Sequence, residues 1–213
     1  HMSYRILRAA KNRYGATNEI GVFEMDDTGL REVPNPSQML LEGRLTEEPG
    51  TCVTCVMEGA RPVLAEVQAL LTPTSFGTPR RSTNGFDYNR AMLLMAVLEK
   101  RGGLAVNTCD AYLNVIGGLY LDEPGADLAA ILALASSFRD RPVPADVVAI
   151  GEVGLTGELR SVSALNQRLS EVRRLDFTKC LVPQRHGRES IVPRDGQQLI
   201  PVRNIRQALA VLL

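Results

Sequence analysis

The sequence of 213 residues contains no tryptophan, two histidines and only three lysines among its 24 basic residues. His1 and Met2 have the form of a cloning remnant, and the other histidine, His186, lies in a polar stretch rich in arginine and glutamine. This scarcity argues against a serine–histidine–aspartate hydrolase. Because arginine cannot act as a general base near neutral pH, a lysine-dependent mechanism is limited to Lys11, Lys100 and Lys179.

Two common catalytic motifs are also missing. The sequence has no GxSxG nucleophile elbow and no GxxxxGK[ST] phosphate loop. We therefore expect that this chain alone does not hydrolyse ATP. Its longest uncharged apolar run, within residues 125–138, is shorter than a bilayer span, and no leader-like segment opens the chain. These features are typical of a cytoplasmic protein.

Cysteine is scarce, and only Cys52 and Cys55 form a CxxC pair; the other two are Cys109 and Cys180. The surrounding sequence TCVTCVME alternates as a strand does, which would place Cys52 and Cys55 on opposite faces. No second pair is present to complete a tetrahedral zinc site. We therefore predict ordinary strand cysteines and neither a metal site nor a redox site.

Charge is balanced overall but unevenly distributed, since 24 basic and 24 acidic residues alternate in blocks along the chain. Residues 3–14, 61–101 and 158–213 are net basic, whereas residues 15–60 and 102–157 are net acidic. Such blocks fit solvated faces, and they equally fit basic strips on a polyanion with acidic strips on a neighbouring subunit. Composition alone leaves both interpretations open.

Hydrophobic periodicity and turn residues predict a mixed α/β layout for residues 16–213. A hairpin is expected around DDTG, followed by a short helix with Ser37 as its cap, and TPTSFGTPRRSTNG (72–85) is predicted to be a loop. Gly117 and Gly118 suggest a bulge or a close backbone approach. Predicted strands cover residues 51–58, 62–71, 111–121, 146–152, 179–183 and 198–202. Predicted helices cover residues 87–101, capped by Asn84 or Asp87, then 124–138, 163–175 and 204–212.

The stretch DEPGADLAAILALASS, residues 122–137, presents a turn followed by an apolar helix. Many hydrolases hold a nucleophile at such a place, because free N–H groups at a helix start stabilise an oxyanion. No serine, cysteine or threonine stands at this turn. Pro124 and nearby acidic residues are equally consistent with a stable helix start.

Several segments together resemble the RadA (Sms) family of bacterial recombination and repair ATPases. KNRYGATNEIGVFEM resembles that family's KNRFG motif and the hairpin after it. Four further segments are similar to successive blocks of the family's Lon-protease-like domain: TPRRSTNGFDYNRAMLLMAVLEKRGG, YLNVIGGLYLDEPGADLA, SSFRDRPVP and GEVGLTGELRSV. The resemblance covers essentially the whole chain, in order, and implies the Lon proteolytic-domain fold, which is related to domain 2 of ribosomal protein S5.

The resemblance also implies a division of the chain. Residues 1–2 would be the cloning remnant, residues 3–15 the end of a RecA-like ATPase core, and residues 16–213 the Lon-like domain. In the family, the basic residues of the motif act at the subunit interface of a hexameric ring, near ATP bound by the neighbour. The motif here consists of Lys11, Asn12, Arg13, Tyr14 and Gly15. We expect no cofactor in this chain; ATP, Mg and a structural Zn would belong to a full-length parent.

Active Lon proteases use a serine–lysine dyad, and the resemblance places Ala126 at the serine position and Asn166 at the lysine position. Alanine has no hydroxyl and asparagine has no basic amine, so the family resemblance implies a lost protease site. Two alternatives remain at this point. One is a pure oligomerisation scaffold. The other is residual peptidase activity through Ser136, Ser137 or Ser163 with a displaced lysine.

The resemblance further implies branch migration of DNA driven by ATP, with a Lon-like domain that supports the hexamer and contacts DNA. Single-stranded or branched DNA, further copies of the chain and RecA recombinase are the expected partners. Arginine-rich, lysine-poor segments suit phosphate contacts. The preferred DNA-binding candidates are Arg80, Arg81 and Arg90, with Arg61 and Arg160 as second choices; for each, an ordinary surface charge or internal ion pair is the alternative.

Overall fold

The computed structural model describes residues 4–8, 13, 20–75, 77–185, 191 and 196–213. Within these residues the chain forms a mixed α/β domain, as predicted. The strands are β1 Tyr4–Arg8, β2 Ile20–Asp26, β3 Gly29–Glu32, β4 Thr51–Glu58, β5 Arg61–Pro73, β6 Arg81–Asn84, β7 Cys109–Val115, β8 Val147–Ala149, β9 Glu152–Val153, β10 Leu159–Arg160, β11 Lys179–Pro183 and β12 Gln198–Val202.

In the described part of the chain, five α-helices connect these strands, and short 3-10 or π turns join several of them. The helices are α1 Pro36–Leu40, α2 Tyr88–Val97, α3 Asp127–Arg139, α4 Leu165–Arg174 and α5 Ile205–Leu212. The 3-10 turns are Val106–Thr108, Ile116–Gly118 and Pro124–Ala126, and a π turn covers Leu98–Gly102. None of the helices in the described ranges is long and apolar enough to cross a membrane.

The centre of the fold is a seven-stranded mixed sheet in the order β12-β11-β8-β4-β5-β7-β6. β4, β8, β11 and β12 run parallel, β5 is antiparallel to both of its neighbours, and β6 is parallel to β7. Cys52 and Cys55 belong to two different buried clusters. The predicted placement of the two thiols on opposite faces is thus confirmed.

Helix α3 lies at the centre of the larger cluster, and residues 126–135 are all at most 1% exposed. A helix that is apolar on all sides requires burial all round, so the sequence pattern correctly predicted this helix. It ends where Asp140 adopts the left-handed conformation, with φ of 51°. The turn Pro124–Ala126 precedes it directly, so the core itself fixes the position of that turn.

Several local predictions need correction. Asn35, not Ser37, caps α1, because the Asn35 side chain accepts from Gln38 N. The Ser37 hydroxyl is buried and instead donates to Glu171 while accepting from Leu64 N. The strand predicted at 111–121 stops at Val115, because Gly117 and Gly118 have positive φ. The predicted close approach is confirmed at Gly117, whose missing side chain leaves room for Leu40.

Two other local predictions hold, and a third holds in part. The hairpin around DDTG forms β2 and β3, and Asp87, one of the two proposed caps, caps α2. The strand predicted at 146–152 is shorter, since β8 covers only Val147–Ala149. β1 pairs antiparallel with β2 in a separate three-stranded sheet. The proposed domain boundary between residues 15 and 16 stays a prediction.

The predicted loop 72–85 was wrong over its last part, because β6 pairs with β7 there. Together β5, β7 and β6 present one sheet surface whose side chains are exposed or half-buried. Register places Gln68 beside Asn114 and Leu70 beside Tyr112, and Ser82 and Asn84 on the other side of these two β7 residues. We call this surface the open face; it consists of Gln68, Leu70, Ser82, Asn84, Tyr112 and Asn114.

Candidate functional site

Three backbone N–H groups at the turn before α3, where a hydrolase would stabilise an oxyanion, already have acceptors. Ala126 N donates to Glu123 O at 3.2 Å, Asp127 N to Pro124 O, and Leu128 N to Gly151 O at 3.1 Å. Gly151 N donates in return to Gly125 O at 3.0 Å. Because carbonyls of the chain itself already accept from these N–H groups, the three groups are not free to stabilise an oxyanion.

A buried ion pair fills the space beside this turn. Arg168, from the first turns of α4, is 0% exposed and donates to both carboxylate oxygens of Glu123. The same guanidinium donates to Cys55 O at 2.7 Å and to Ser163 O at 2.9 Å. The other donor to Glu123 is Met57 N, at 2.7 Å. The pair therefore links α4, β4 and the turn through hydrogen bonds that satisfy both partners.

Gly125 is the position of this turn that faces the pair. A Cβ at Gly125 would lie 2.6 Å from Glu123 Oε1 and 3.1 Å from Arg168 Nη1. Real Cβ atoms do not come that close to a carboxylate oxygen, so a side chain here requires the Arg168–Glu123 pair to move. The space that a side chain at Gly125 would occupy is thus taken up by this pair.

A second ion pair holds the start of α3 from the other side. Arg90 donates Nε–H to Asp127 Oδ1 at 2.9 Å, donates also to Asp127 Oδ2, and reaches Val153 O at 3.0 Å. Val153 N donates to Asp127 Oδ2 at 3.0 Å. Burial raises the pKa of Asp127, and the hydrogen bond from Arg90 opposes that rise. This arrangement ties α2, α3 and β9 together.

Comparison with known proteins now identifies the fold. Residues 110–213 match the family described as the Lon protease (S16) C-terminal proteolytic domain. The DNA repair protein RadA of Streptococcus pneumoniae is 52% identical over 209 residues, which cover 98% of this chain and 50% of that protein. RadA of Bacillus subtilis is 52% identical over 214 residues, covering 100% of this chain and 46% of that protein. The chain is a Lon-like region of the RadA family.

This confirms the family and the fold expected from the motifs. The chain spans about half the length of the curated relatives it matches. The RadA of Halalkalibacterium halodurans, 50% identical over 213 residues, gives the same picture. Activities of a whole RadA protein therefore do not pass automatically to this region.

The family resemblance assigned the serine and lysine positions of the protease dyad to two residues that lie in different elements, the turn before α3 and helix α4. Ala126 is the last residue of the turn and is fully buried, and Asn166 is the half-buried second residue of α4. Arg168 lies two residues further along the same helix. The sequence analysis did not single out Arg168 or Glu123. In the structure, the buried Arg168 is the residue of α4 whose side chain reaches the turn and binds Glu123.

The serines considered for residual peptidase activity have structural roles or lie at the surface. Ser136 Oγ accepts from Gly50 N at 2.8 Å and donates to Arg141 O, while Ser137 Oγ accepts from Leu71 N at 2.9 Å. Ser163 is exposed. The Lys179 ammonium lies 3.1 Å from Asp146 Oδ2, so this lysine forms an ion pair with an acidic residue.

Of the five arginines predicted to contact DNA, three donate hydrogen bonds from their guanidinium groups to other residues of the chain. Arg90 makes the Asp127 clamp described above. Arg81 was predicted on a flexible loop but belongs to β6, and it donates to the carbonyls of Arg80, Val106, Asn107 and Cys109. Arg61 donates to Pro34 O at 2.8 Å. Their side chains are best explained as structural.

The remaining two arginines are exposed. Arg160 lies 3.0 Å from Glu158, so its charge is partly compensated. Arg80 stands directly before β6, where its backbone N–H donates to Asp110 Oδ1 at 2.8 Å. In the part of the chain that the structure describes, the Arg80 guanidinium makes no hydrogen bond or ion pair. Arg80 is therefore the candidate best placed to meet an external anion.

The motif KNRYG falls mostly outside the described residues, which include Arg13 as an exposed residue but not Lys11, Asn12, Tyr14 or Gly15. Its predicted role beside ATP of a neighbouring subunit stays a prediction.

Among the residues described, no three metal-ligating side chains come together. Burial raises the pKa of Cys52 and of Cys180 to about 12, which keeps both thiols protonated near neutral pH.

Proposed function

We propose that this chain is a DNA-contacting, ring-forming Lon-like module of a RadA-type repair ATPase, without proteolytic activity of its own. The observation that carries the proposal is the likeness, along the whole chain, to proteins named DNA repair protein RadA. The parent protein would drive branch migration in the bacterial cytoplasm, with RecA recombinase as a further partner. ATP, Mg and structural Zn would be bound by other parts of that parent.

The loss of proteolysis rests on chemistry at the turn before α3. The positions equivalent to the dyad carry Ala126 and Asn166, which supply neither a nucleophile nor a base. Around them the N–H groups of Ala126, Asp127 and Leu128 already donate to carbonyls of the chain, and Arg168 with Glu123 occupies the space beside Gly125.

Ring formation would use both the motif and the uneven charge of the chain. Lys11 and Arg13 are basic residues suited to phosphates of ATP on a neighbouring subunit. The alternating acidic and basic blocks would then face each other between copies. In the isolated chain this assembly would be weaker, since the ATPase core supplies part of the interface in the proposed parent.

DNA contact would be made through Arg80 on the rim of the open face. Its guanidinium is exposed and makes no hydrogen bond or salt bridge within the described residues, although its charge lies near that of Asp110, and exposure is what a phosphate contact requires. Arg81 points its guanidinium to internal carbonyls, so a variant that removes both arginines would mix a folding defect with a binding defect. The single variant Arg80→Ala is the cleaner probe.

The test is fluorescence anisotropy of labelled single-stranded and duplex DNA, titrated with the chain at several salt concentrations. We expect log affinity to fall linearly with log salt, with a shallower slope for Arg80→Ala. Arg160→Ala is the matched control, because it removes an exposed arginine whose charge Glu158 already offsets. If neither DNA form binds at low salt to an assembled chain, the pure scaffold alternative is correct. Turnover of labelled casein would overturn the claim of inactivity.

A further inference from the structure

Helix α2 carries an apolar stripe on its outer side. Ala91, Leu94 and Met95 of this helix are buried in the larger core cluster, which also contains α3. The outer side consists of exposed or half-buried residues spaced about one turn apart: Tyr88, Asn89, Met92, Leu93 and Ala96. Tyr88 is 49% exposed and Leu93 is 44% exposed. Large apolar side chains that remain exposed along one side of a helix are typical of a surface that another protein covers.

The stripe leads to a group of basic side chains. Lys100, in the π turn that continues α2, lines the same depression as Met92. The carbonyl of Arg101 accepts from Arg206 Nε at 2.6 Å, which holds the start of α5 alongside. Four basic residues here are exposed and form no ion pair with any residue that the structure describes: Lys100, Arg101, Arg203 and Arg206.

The carboxylates in the neighbouring segments do not neutralise this group. Glu99 accepts from Asn107 N at 2.8 Å, and Glu158 accepts from Thr156 and from Arg160. Segments 99–101, 156–160 and 203–206 together contain five basic residues and these two acidic ones. The surface at the end of the α2 stripe is therefore net positive.

The open face lies on the other side of the same sheet. Ala69, Ala111 and Leu113 belong to the cluster that contains α2, so the residues that alternate with them along β5 and β7 point the opposite way. On that side Leu70 is 59% exposed and Tyr112 is 36% exposed. The α2 stripe and the open face thus form two opposite sides of one end of the molecule.

The segment 42–48 borders the open face and carries negative charge. Its residues line a cavity of about 420 Å³ together with residues of the open face, and Leu45 is 68% exposed. Arg44 turns its guanidinium inward, to Glu66 and to Ala145 O. Three carboxylates of the segment are exposed and form no ion pair within the described ranges: Glu42, Glu47 and Glu48. An acidic rim therefore borders exposed apolar side chains here, as a basic rim borders the α2 stripe.

The opposite charges of the two surfaces determine how copies of the chain can meet. In a twofold dimer a patch meets itself, which would here place like charges opposite each other. In a head-to-tail contact the acidic rim of one copy meets the basic rim of the next, and the two apolar patches cover each other. Head-to-tail contacts between identical subunits close into a ring when the rotation between neighbours permits it.

From these observations we propose that the open face of one copy, together with segment 42–48, docks on the α2 stripe and the basic rim of the next copy. The inference rests on the proposed ring formation and specifies the two surfaces that form it. The apolar part of the contact consists of Leu45, Leu70 and Tyr112 on one copy and of Tyr88, Met92 and Leu93 on the other. Glu42, Glu47 and Glu48 then face Lys100, Arg101 and Arg206.

The test is charge reversal, followed by sedimentation velocity over a range of chain concentrations at low salt. Glu47→Lys with Glu48→Lys, or Lys100→Glu with Arg101→Glu, should weaken self-association at least about tenfold, because like charges then meet across the contact. A chain with all four substitutions restores the attraction with its signs exchanged and should associate as the unsubstituted chain does. The matched control is Asp27→Lys with Glu32→Lys, which makes the same change of charge on exposed residues outside both surfaces.

A second pair of variants tests the apolar part of the contact. Leu93→Ser should weaken self-association about fivefold, because it removes an apolar side chain from the stripe. Val211→Ser is its control, since Val211 is 48% exposed but lies on α5, outside the proposed contact. Circular dichroism of every variant checks that the native fold is retained.

The outcomes separate this inference from the proposed function. If the unsubstituted chain associates and the charge-reversed variants associate equally well, the two surfaces are wrong although ring formation stands. A chain with all four substitutions that is folded but does not associate would also overturn the pairing of these surfaces. If the unsubstituted chain stays monomeric at every concentration, ring formation by this chain fails together with the contact. Support requires that each one-sided variant loses association, that the fourfold variant regains it and that the controls are unaffected.

Discussion

Two buried arginine–glutamate pairs in this molecule differ in how completely they are satisfied. Arg168 donates to Glu123 and to two backbone carbonyls, and Glu123 accepts from a backbone N–H as well. The Glu123 side chain keeps 22% of its surface exposed, whereas Arg44 and Glu66 are 8% and 3% exposed, yet Arg44 Nη2 and Glu66 Oε2 have no hydrogen-bond partner among the described residues. The first pair is fully hydrogen-bonded beside the turn before α3, whereas the second keeps hydrogen-bonding capacity that is not used.

The difference teaches that burial of an ion pair does not by itself indicate its role. A pair with every atom bonded rigidifies its surroundings, and removal of one partner leaves several groups unsatisfied. A pair with unused atoms has already lost part of that stabilisation.

Replacement of both partners by apolar residues gives the sharpest contrast between the two pairs. Arg168→Met with Glu123→Leu leaves Cys55 O, Ser163 O and Met57 N without partners, so we expect a loss of about 3 kcal/mol or more in the free energy of unfolding. Arg44→Met with Glu66→Leu removes only two hydrogen bonds, to Ala145 O and from the Gln68 side chain, together with atoms that were already unsatisfied, and should change it by about 1 kcal/mol or less. Urea denaturation measures both.

The comparison fails if the two double variants lose equal stability. Single variants complete each double-mutant cycle and show whether the coupling between partners differs. Circular dichroism of each variant before the titration checks that the native fold is retained.

Two adjacent residues of β7 allow a second comparison, between the buried face of the sheet and the open face. Leu113 is 4% exposed in the core, and Tyr112 is 36% exposed on the open face. Leu113→Ala should lower the free energy of unfolding by about 2–5 kcal/mol, because it leaves a cavity among packed side chains. Tyr112→Ala should lower it by about 1 kcal/mol or less.

Thermal denaturation compares Leu113→Ala and Tyr112→Ala with the unsubstituted chain. Comparable losses for the two would mean that Tyr112 is part of the core, and the open face would no longer be a free surface.

Local sequence patterns predicted much of the fold. Continuous apolar character identified the buried helix α3, and strict alternation placed Cys52 and Cys55 on opposite faces. The motifs around KNRYG and PGADLA led to the family that the comparisons confirm. These features depend on neighbours in sequence, so a single chain is enough to reveal them.

Contacts between distant segments could not be predicted in this way. Arg168 meets a glutamate 45 positions earlier, and Arg90 meets an aspartate 37 positions later. Arg81 lay in a stretch rich in proline, glycine, serine and threonine, which concealed a short edge strand and thus the direction of its side chain. The alternation of Tyr112 and Asn114 with apolar residues was a visible signal for a half-exposed strand, but not for the cavity beside it.

The smallest effect is expected at a third arginine–glutamate pair, Arg160 and Glu158, whose side chains are 61% and 35% exposed. Hydrogen bonds, first from the Thr156 hydroxyl, lower the pKa of Glu158 from 4.5 to about 2. The folded chain therefore binds fewer protons at this carboxyl than the unfolded chain does. Its contribution to stability is present above pH 4.5 and is lost as the pH falls towards 2.

Glu158→Gln tests that pH dependence. Because solvent screens this pair, we expect the variant to be less stable by under about 1 kcal/mol at pH 7, with the difference vanishing near pH 2. Urea midpoints measured at intervals between pH 7 and pH 2.5 would follow the change. If the difference in stability between the unsubstituted chain and Glu158→Gln persisted unchanged at low pH, Glu158 would act through packing. The exposed pair would then resemble the buried pairs more closely than the structure indicates.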